Sequence, residues 1–133
     1  MLARVAIVSG EPEYWEKLSH VVSRFGAHPI RCDTLAAVTK LLSQKHIDSV
    51  ICEDAVTDGT FRELIAVVKR SGRSTPVVVV SKLEDWGTFL EAILAGAFDY
   101  VAFSSFPGEL ERGVTAALAE SRSNRDVAAR TAA

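Results

Sequence analysis

Cysteine is scarce in this chain, with only Cys32 and Cys52 among 133 residues, each inside an apolar stretch. Two such thiols make neither a metal-ligand spacing nor a disulfide framework. They read as small buried hydrophobes of a reduced compartment. A surplus of charge of one sign is also missing. Fifteen Lys and Arg stand against seventeen Asp and Glu, for a formal net charge of −2. With no basic excess to neutralise phosphates, the balance argues against a nucleic-acid partner. No apolar run approaches the ~18–20 residues of a membrane span. The opening MLARVAIVSGEPEYW turns acidic too soon for a secretory signal. The expectation is a cytoplasmic protein with no membrane partner.

What is present describes an ordinary globular domain. Hydrophobic residues make up 48% and charged residues 24%, which excludes wholesale disorder and fibrous classes. A chain of this length is about one domain and can bury near ~70% of its unfolded surface.

The hydrophobic period alternates between strand-like and helix-like. Arg4 to Ser9 (RVAIVS) is a short β-branched run, the mark of a buried strand. Pro12 then opens a helix in which Trp15, Leu18, Val22 and Phe25 recur at three- and four-residue steps, with Gly26 just beyond its end. A weaker strand at His28–Cys32 precedes a helix that Asp33 can cap, with Leu35, Val38, Leu41 and Leu42 as its stripe. Ser49–Glu53 is a third strand, followed by an acidic loop, Asp54–Gly59. Thr60 can cap the third helix with Glu63 at the capping-box position. PVVVVS, starting at Pro76, is a buried fourth strand. A fourth helix runs from about Glu84 to Ala95 and stops at Gly96. Tyr100–Phe103 is the fifth strand and Pro107–Glu120 the fifth helix.

Five strands alternating with five helices imply an α/β fold with a parallel sheet covered on both faces. Right-handed crossovers leave few arrangements. The expected architecture is a three-layer, doubly wound five-stranded sheet of order 2-1-3-4-5, a flavodoxin-like (βα)5 fold. No repeat or interior linker is visible.

Ligands of such sheets bind at the carboxyl ends of the strands. The residues there are Ser9-Gly10-Glu11, Glu53-Asp54, Ser81-Lys82 and Phe103-Ser104. The turn SGEPE lacks the glycines that let backbone amides approach a pyrophosphate, and no GxxxxGK[ST] occurs. A flavin phosphate would meet repulsion from Glu11 and Glu13. His20, His28 and His46 avoid the strand ends, so no Ser-His-acid arrangement assembles.

Taken in order, these residues resemble the receiver domain (CheY-like) of bacterial two-component response regulators, over about residues 3–120. The resemblance lies in RVAIVSGEPEYWEKLSHVV, in DSVICEDAVTDGTFRELI and in STPVVVVSKLEDWGTFLEAILAGAFDYVAF. It implies 1–121 as a receiver-like domain and 122–133 as a polar, Ala-rich tail or helix extension. A working receiver carries an acid pair after strand one, a phospho-accepting Asp ending strand three, Ser or Thr ending strand four, and Lys ending strand five. The acid pair and acceptor hold Mg²⁺ through oxygen. The acceptor attacks phosphorus, and Lys with Mg²⁺ stabilises the transferred group.

This chain departs from that set. Ser9 and Gly10 stand at the acid-pair positions, with Glu11 the nearest carboxylate. Glu53 stands at the acceptor position and Phe103 at the Lys position. Ser81 and Tyr100 match the switch hydroxyl and aromatic. The loop EDAVTDG is shorter than usual and lacks its common Pro. The resemblance therefore implies a degenerate pseudo-receiver with weak or absent Mg²⁺ binding, not phosphorylated and not an enzyme. It would act in phosphorelay-type signalling through a protein partner: a histidine kinase, an output domain or another signalling protein. An alternative keeps phosphotransfer alive with Asp54 as acceptor, and a small enzyme on the same fold is a further one. Glu53 could mimic the phosphorylated state by hydrogen-bonding Ser81, or be a solvated or neutralised strand-end carboxylate. Asp58 fits turn chemistry before Gly59. In the fourth helix the spacing puts Phe89 and Ile93 in the core and leaves Trp86 as an exposed anchor. That surface, helix four–strand five–helix five, is the expected face for a homodimer. Of Tyr14 and Trp15, one should be exposed.

Overall fold

The structure, a computed structural model, describes residues 2–103 and 108–132. Its elements alternate as the hydrophobic periods predict: β1 (Arg4–Val8), α1 (Pro12–Arg24), β2 (His28–Cys32), α2 (Leu35–Gln44) and β3 (Ser49–Glu53). A two-stranded antiparallel ribbon follows, β4 (Ala55–Val56) and β5 (Gly59–Thr60). Then come α3 (Phe61–Arg70), β6 (Val77–Ser81), α4 (Trp86–Ala95), β7 (Asp99–Ala102) and α5 (Glu109–Ala132). The main sheet has the order β2-β1-β3-β6-β7 and is parallel throughout. With the ribbon set aside, this is the expected 2-1-3-4-5.

Strand side chains alternate between the two faces with period two. Ala6, Val8, Val50, Cys52, Val77 and Val79 join α2 and α3 in one buried cluster. Val5, Ile7, Ile51, Val78, Val80 and Val101 join α1 and α5 in the other. Both cysteines are free and buried. Burial holds the Cys32 thiol up at about 11 and raises Cys52 further, which disfavours the thiolate.

The helix ends show where local chemistry differs from expectation. The capping box on α3 forms, with Glu63 accepting from the Thr60 amide at 2.9 Å. Asp33 does not cap α2. Thr34 does, accepting from the Ala37 amide at 3.1 Å, while Asp33 pairs with Arg31. Asp58 is more than a turn residue: from the ribbon it accepts the Leu35 amide at 2.8 Å and the Ala36 amide at 3.0 Å. The short loop after β3 is thereby fastened to the first turn of α2, and these charge-assisted bonds hold the Asp58 carboxyl below its ordinary value. Gly96, at φ +112°, closes α4 in the left-handed conformation that favours glycine.

In α4 only Ala92 is buried. Phe89 is half-buried and Ile93 is 40% exposed, so the expected core positions are not core. The helix is apolar nearly all round, and such a pattern cannot say which face meets the sheet. Tyr14 and Trp15 are both half-buried rather than divided between core and solvent.

Residues 122–132 continue α5 without a break, the helix-extension form of the two expected for the final segment. This half of α5 is fastened to the amino end of the sheet. Asp48, 4% exposed, accepts the Arg4 amide at 2.8 Å and the Ser121 hydroxyl at 3.4 Å, and Arg125 lies 3.5 Å away. Asn124 donates to the Ser74 carbonyl at 2.7 Å. Ser104 and Pro107, named in the sequence reading, lie outside the described residues. Among the described residues, no helix is long and apolar enough to cross a membrane.

Candidate functional site

The sheet ladder runs one residue past the strand ends and fixes the crevice. The Ser9 amide donates to Cys32, Asp54 to Val80 and Phe103 to Ser81, at 2.8–3.0 Å. The strand-end residues singled out in the sequence, Ser104 excepted, therefore line one rim, and their contacts form three networks.

The first joins β1 to β3. Ser9 is fully buried, and its hydroxyl bonds the carboxylate of Glu53, itself only 7% exposed. The same hydroxyl oxygen accepts the Glu11 amide at 3.1 Å. Burial raises the Glu53 carboxyl above its ordinary value, and Glu11 adds to the rise, while the Ser9 bond and Lys82 oppose it. Glu53 does not bond Ser81, so the particular contact expected of a phosphate mimic is not made. Gly10 brings no side chain, and Asp54 accepts the amide of Ala55 next to it.

The second network joins β1 to β6. Lys82 reaches Glu11 at 2.7 Å, which raises the lysine above its ordinary value. Glu11 is the N-cap residue of α1 but makes no side-chain cap bond, since its carboxylate is turned to Lys82. The ammonium also stands 5.7 Å from the centre of the Tyr14 ring. Tyr14 stacks on Phe103 with centroids 4.3 Å apart, and Lys17 lies 5.3 Å from the Phe103 ring. Phe103 thus supports an aromatic platform where a receiver would present its lysine. Lys82 was the residue whose role the sequence hid: its position after a strand was visible, its partner in another turn was not.

Ser81 and Tyr100 come together through one atom. The Ser81 hydroxyl donates to the Leu83 carbonyl at 2.8 Å and the Tyr100 hydroxyl donates to the same oxygen at 3.3 Å. Tyr100 meets Phe89 edge-on at 5.9 Å, and Phe89 stacks on Trp86 at 5.1 Å. Several large apolar residues of α4 and its flanks are exposed: Leu83, Trp86, Leu90, Ile93, Leu94 and Phe98. Among the described residues, no group of three or more His, Cys, Asp or Glu side chains converges in a way that could hold a metal ion.

No protein-family model matches the chain. Its sequence is similar to that of the response regulator protein PilR of Pseudomonas aeruginosa, at 24% identity over 115 residues, which is 86% of this chain and 26% of PilR. The chain therefore spans about a quarter of the length of this curated relative. Among solved structures it is similar to the beryllofluoride-activated NtrC4 receiver domain dimer, with TM-score 0.80, 21% identity and coverage of 89% of this chain and 98% of that one. The chain has the receiver-domain fold. The signal receiver domain of a putative LuxO repressor protein from Vibrio parahaemolyticus superposes at TM-score 0.85 with 13% identity, over 96% of this chain and 98% of that one. The chemotaxis protein CheY4 of Vibrio cholerae gives 0.77 with 18% identity, over 89% of this chain and all of that one. In this chain the crevice of that fold is occupied by contacts among its own side chains.

Proposed function

We propose that this domain is a two-component signalling module that acts through protein–protein contact and is not phosphorylated. The observation that carries the reading is the engagement of Glu53. The carboxylate at the acceptor position is turned onto the buried Ser9 hydroxyl and away from solvent. An in-line attack on phosphorus needs the opposite orientation, and ångström-scale misplacement is costly.

The surrounding donors support the same reading. Mg²⁺ requires near-octahedral oxygen coordination. Ser9 offers a buried hydroxyl, Gly10 has no side-chain oxygen, and Glu11 is paired with an ammonium. Phe103 brings no charge to stabilise a phosphoryl group. Ser9 beside Glu53 has the composition of a nucleophile and base, and full burial of the hydroxyl supports reading the module as a non-enzymatic one. It works in the cytoplasm, and its partner is a histidine kinase, an output domain or another signalling protein. The exposed apolar surface of α4 supports contact through the α4–β7–α5 face, a second copy of this chain included; NtrC4, similar in fold, is described as a dimer.

The test is to add Mg²⁺ with ³²P-labelled acetyl phosphate, and separately with beryllofluoride. The expected result is no incorporation and no saturable binding. Stoichiometric labelling would overturn the reading, and its loss in Asp54→Asn would assign Asp54 as acceptor.

A further inference from the structure

We propose that the Glu11–Lys82 ion pair is a positioning latch that holds Ser81 and Tyr100 in one arrangement. This rests on the reading that the crevice receives no phosphoryl group, and it says what sets the Ser81–Tyr100 geometry instead.

The argument follows the backbone between Ser81 and Leu83. Ser81 is anchored to β7 through its carbonyl, which accepts the Phe103 amide at 2.8 Å. Two residues later, the Leu83 carbonyl receives both the Ser81 and the Tyr100 hydroxyls. Lys82 lies between these two points. Its side chain crosses the crevice to Glu11 at 2.7 Å, and the Glu11 amide is itself held by Ser9. The turn after β1 and the loop after β6 are therefore tied across the carboxyl ends of the strands. A displacement of this loop that carries the Leu83 carbonyl away from Tyr100 also moves the Lys82 backbone, and the pair with Glu11 opposes it.

From Tyr100 the contacts continue through Phe89 to Trp86, on the exposed apolar surface. One end of the chain of contacts is a charge pair and the other is the proposed docking face. Glu11 and Lys82 are both more than one-third exposed, so their attraction is screened by salt and adds little to global stability. Its role is to select a loop arrangement.

The chain has two tyrosines, and they divide the test. Tyr14 lies under Lys82 and senses any change there directly, whereas Tyr100 senses Lys82 only through Leu83. The 133-residue chain labelled with 3-fluorotyrosine is compared by ¹⁹F NMR as wild type, Lys82→Gln, Glu11→Gln and the exchanged pair Glu11→Lys/Lys82→Glu. Both single variants are expected to shift or broaden the Tyr100 resonance in the same direction by more than its linewidth. The exchanged pair restores it, and salt at about 0.5 M moves the wild type toward Lys82→Gln. If Tyr14 responds in the single variants while Tyr100 stays fixed, or if the exchanged pair fails to restore Tyr100, the latch is overturned. Adding Mg²⁺ and beryllofluoride to the wild type separates the two readings. A Tyr100 response to that addition would defeat the unphosphorylated module and leave the variant comparison to decide the latch.

Discussion

Glu53 is a carboxylic acid placed where water is largely excluded, and its stability effect depends on pH in a definite direction. Its folded value lies above the ordinary 4.5 because burial disfavours the charged form. The folded chain thus holds this proton more tightly than the unfolded chain does. Its contribution is most favourable below the ordinary carboxyl value and is lost as pH rises through the folded value. Glu53→Gln is therefore expected to melt above the wild type at about pH 7, with the gap closing toward about pH 4. A gap that widens on acidification would contradict this placement. Ser9→Ala leaves the buried carboxylate without its hydroxyl partner and is expected to cost about 1–3 kcal/mol, read from the urea midpoint. The substitution of Asp by Glu was visible in the sequence. Its rotation onto Ser9 was not, because strand register decides which residue faces it across the crevice.

Among the elements, α2 is unusual in depending on a residue from the ribbon for its first turn. Asp58→Ala is expected to lower the thermal midpoint and to speed amide exchange at Leu35 and Ala36, while Asp58→Asn retains part of the protection. Because its hydrogen bonds hold the Asp58 carboxyl below its ordinary value of 3.8, that stabilisation is present above the ordinary value and is lost as pH falls through the folded one. Sequence propensity proposed Asp33 as the cap, a local choice that its neighbour Thr34 displaced. It had no means of proposing an aspartate from a loop beyond β3. Glycine at the end of α4 was legible, since a left-handed residue there has a strong side-chain preference. Gly96→Ala should cost roughly 1–2 kcal/mol for the conformation alone.

The topology of the whole molecule was the most legible feature, because each buried strand is a continuous apolar run bounded by turn residues. The identity of the outer surface was the least legible. The apolar residues of α4 could have met the sheet on several faces, and only packing shows that Ala92 does so while Leu94 is 84% exposed. A substitution that places charge there tests the surface separately from the fold. Leu94→Arg is expected to change stability by no more than about 0.5 kcal/mol while weakening self-association or partner binding, measured by sedimentation and pull-down. A large loss of stability would mean that Leu94 is packed.

The helix α5 has 24 residues, about 36 Å at the usual rise, whereas a five-residue strand beside it covers about 17 Å. Such a helix outruns the sheet it packs on, and Asp48 and Asn124 hold its later turns at the pole opposite the crevice. The extension is expected to make the tumbling of the domain anisotropic. Backbone amides along α5 share one direction, so their ¹⁵N relaxation should differ from that of amides lying across the sheet. Loss of the Asp48 anchor would erase that difference for the last turns first.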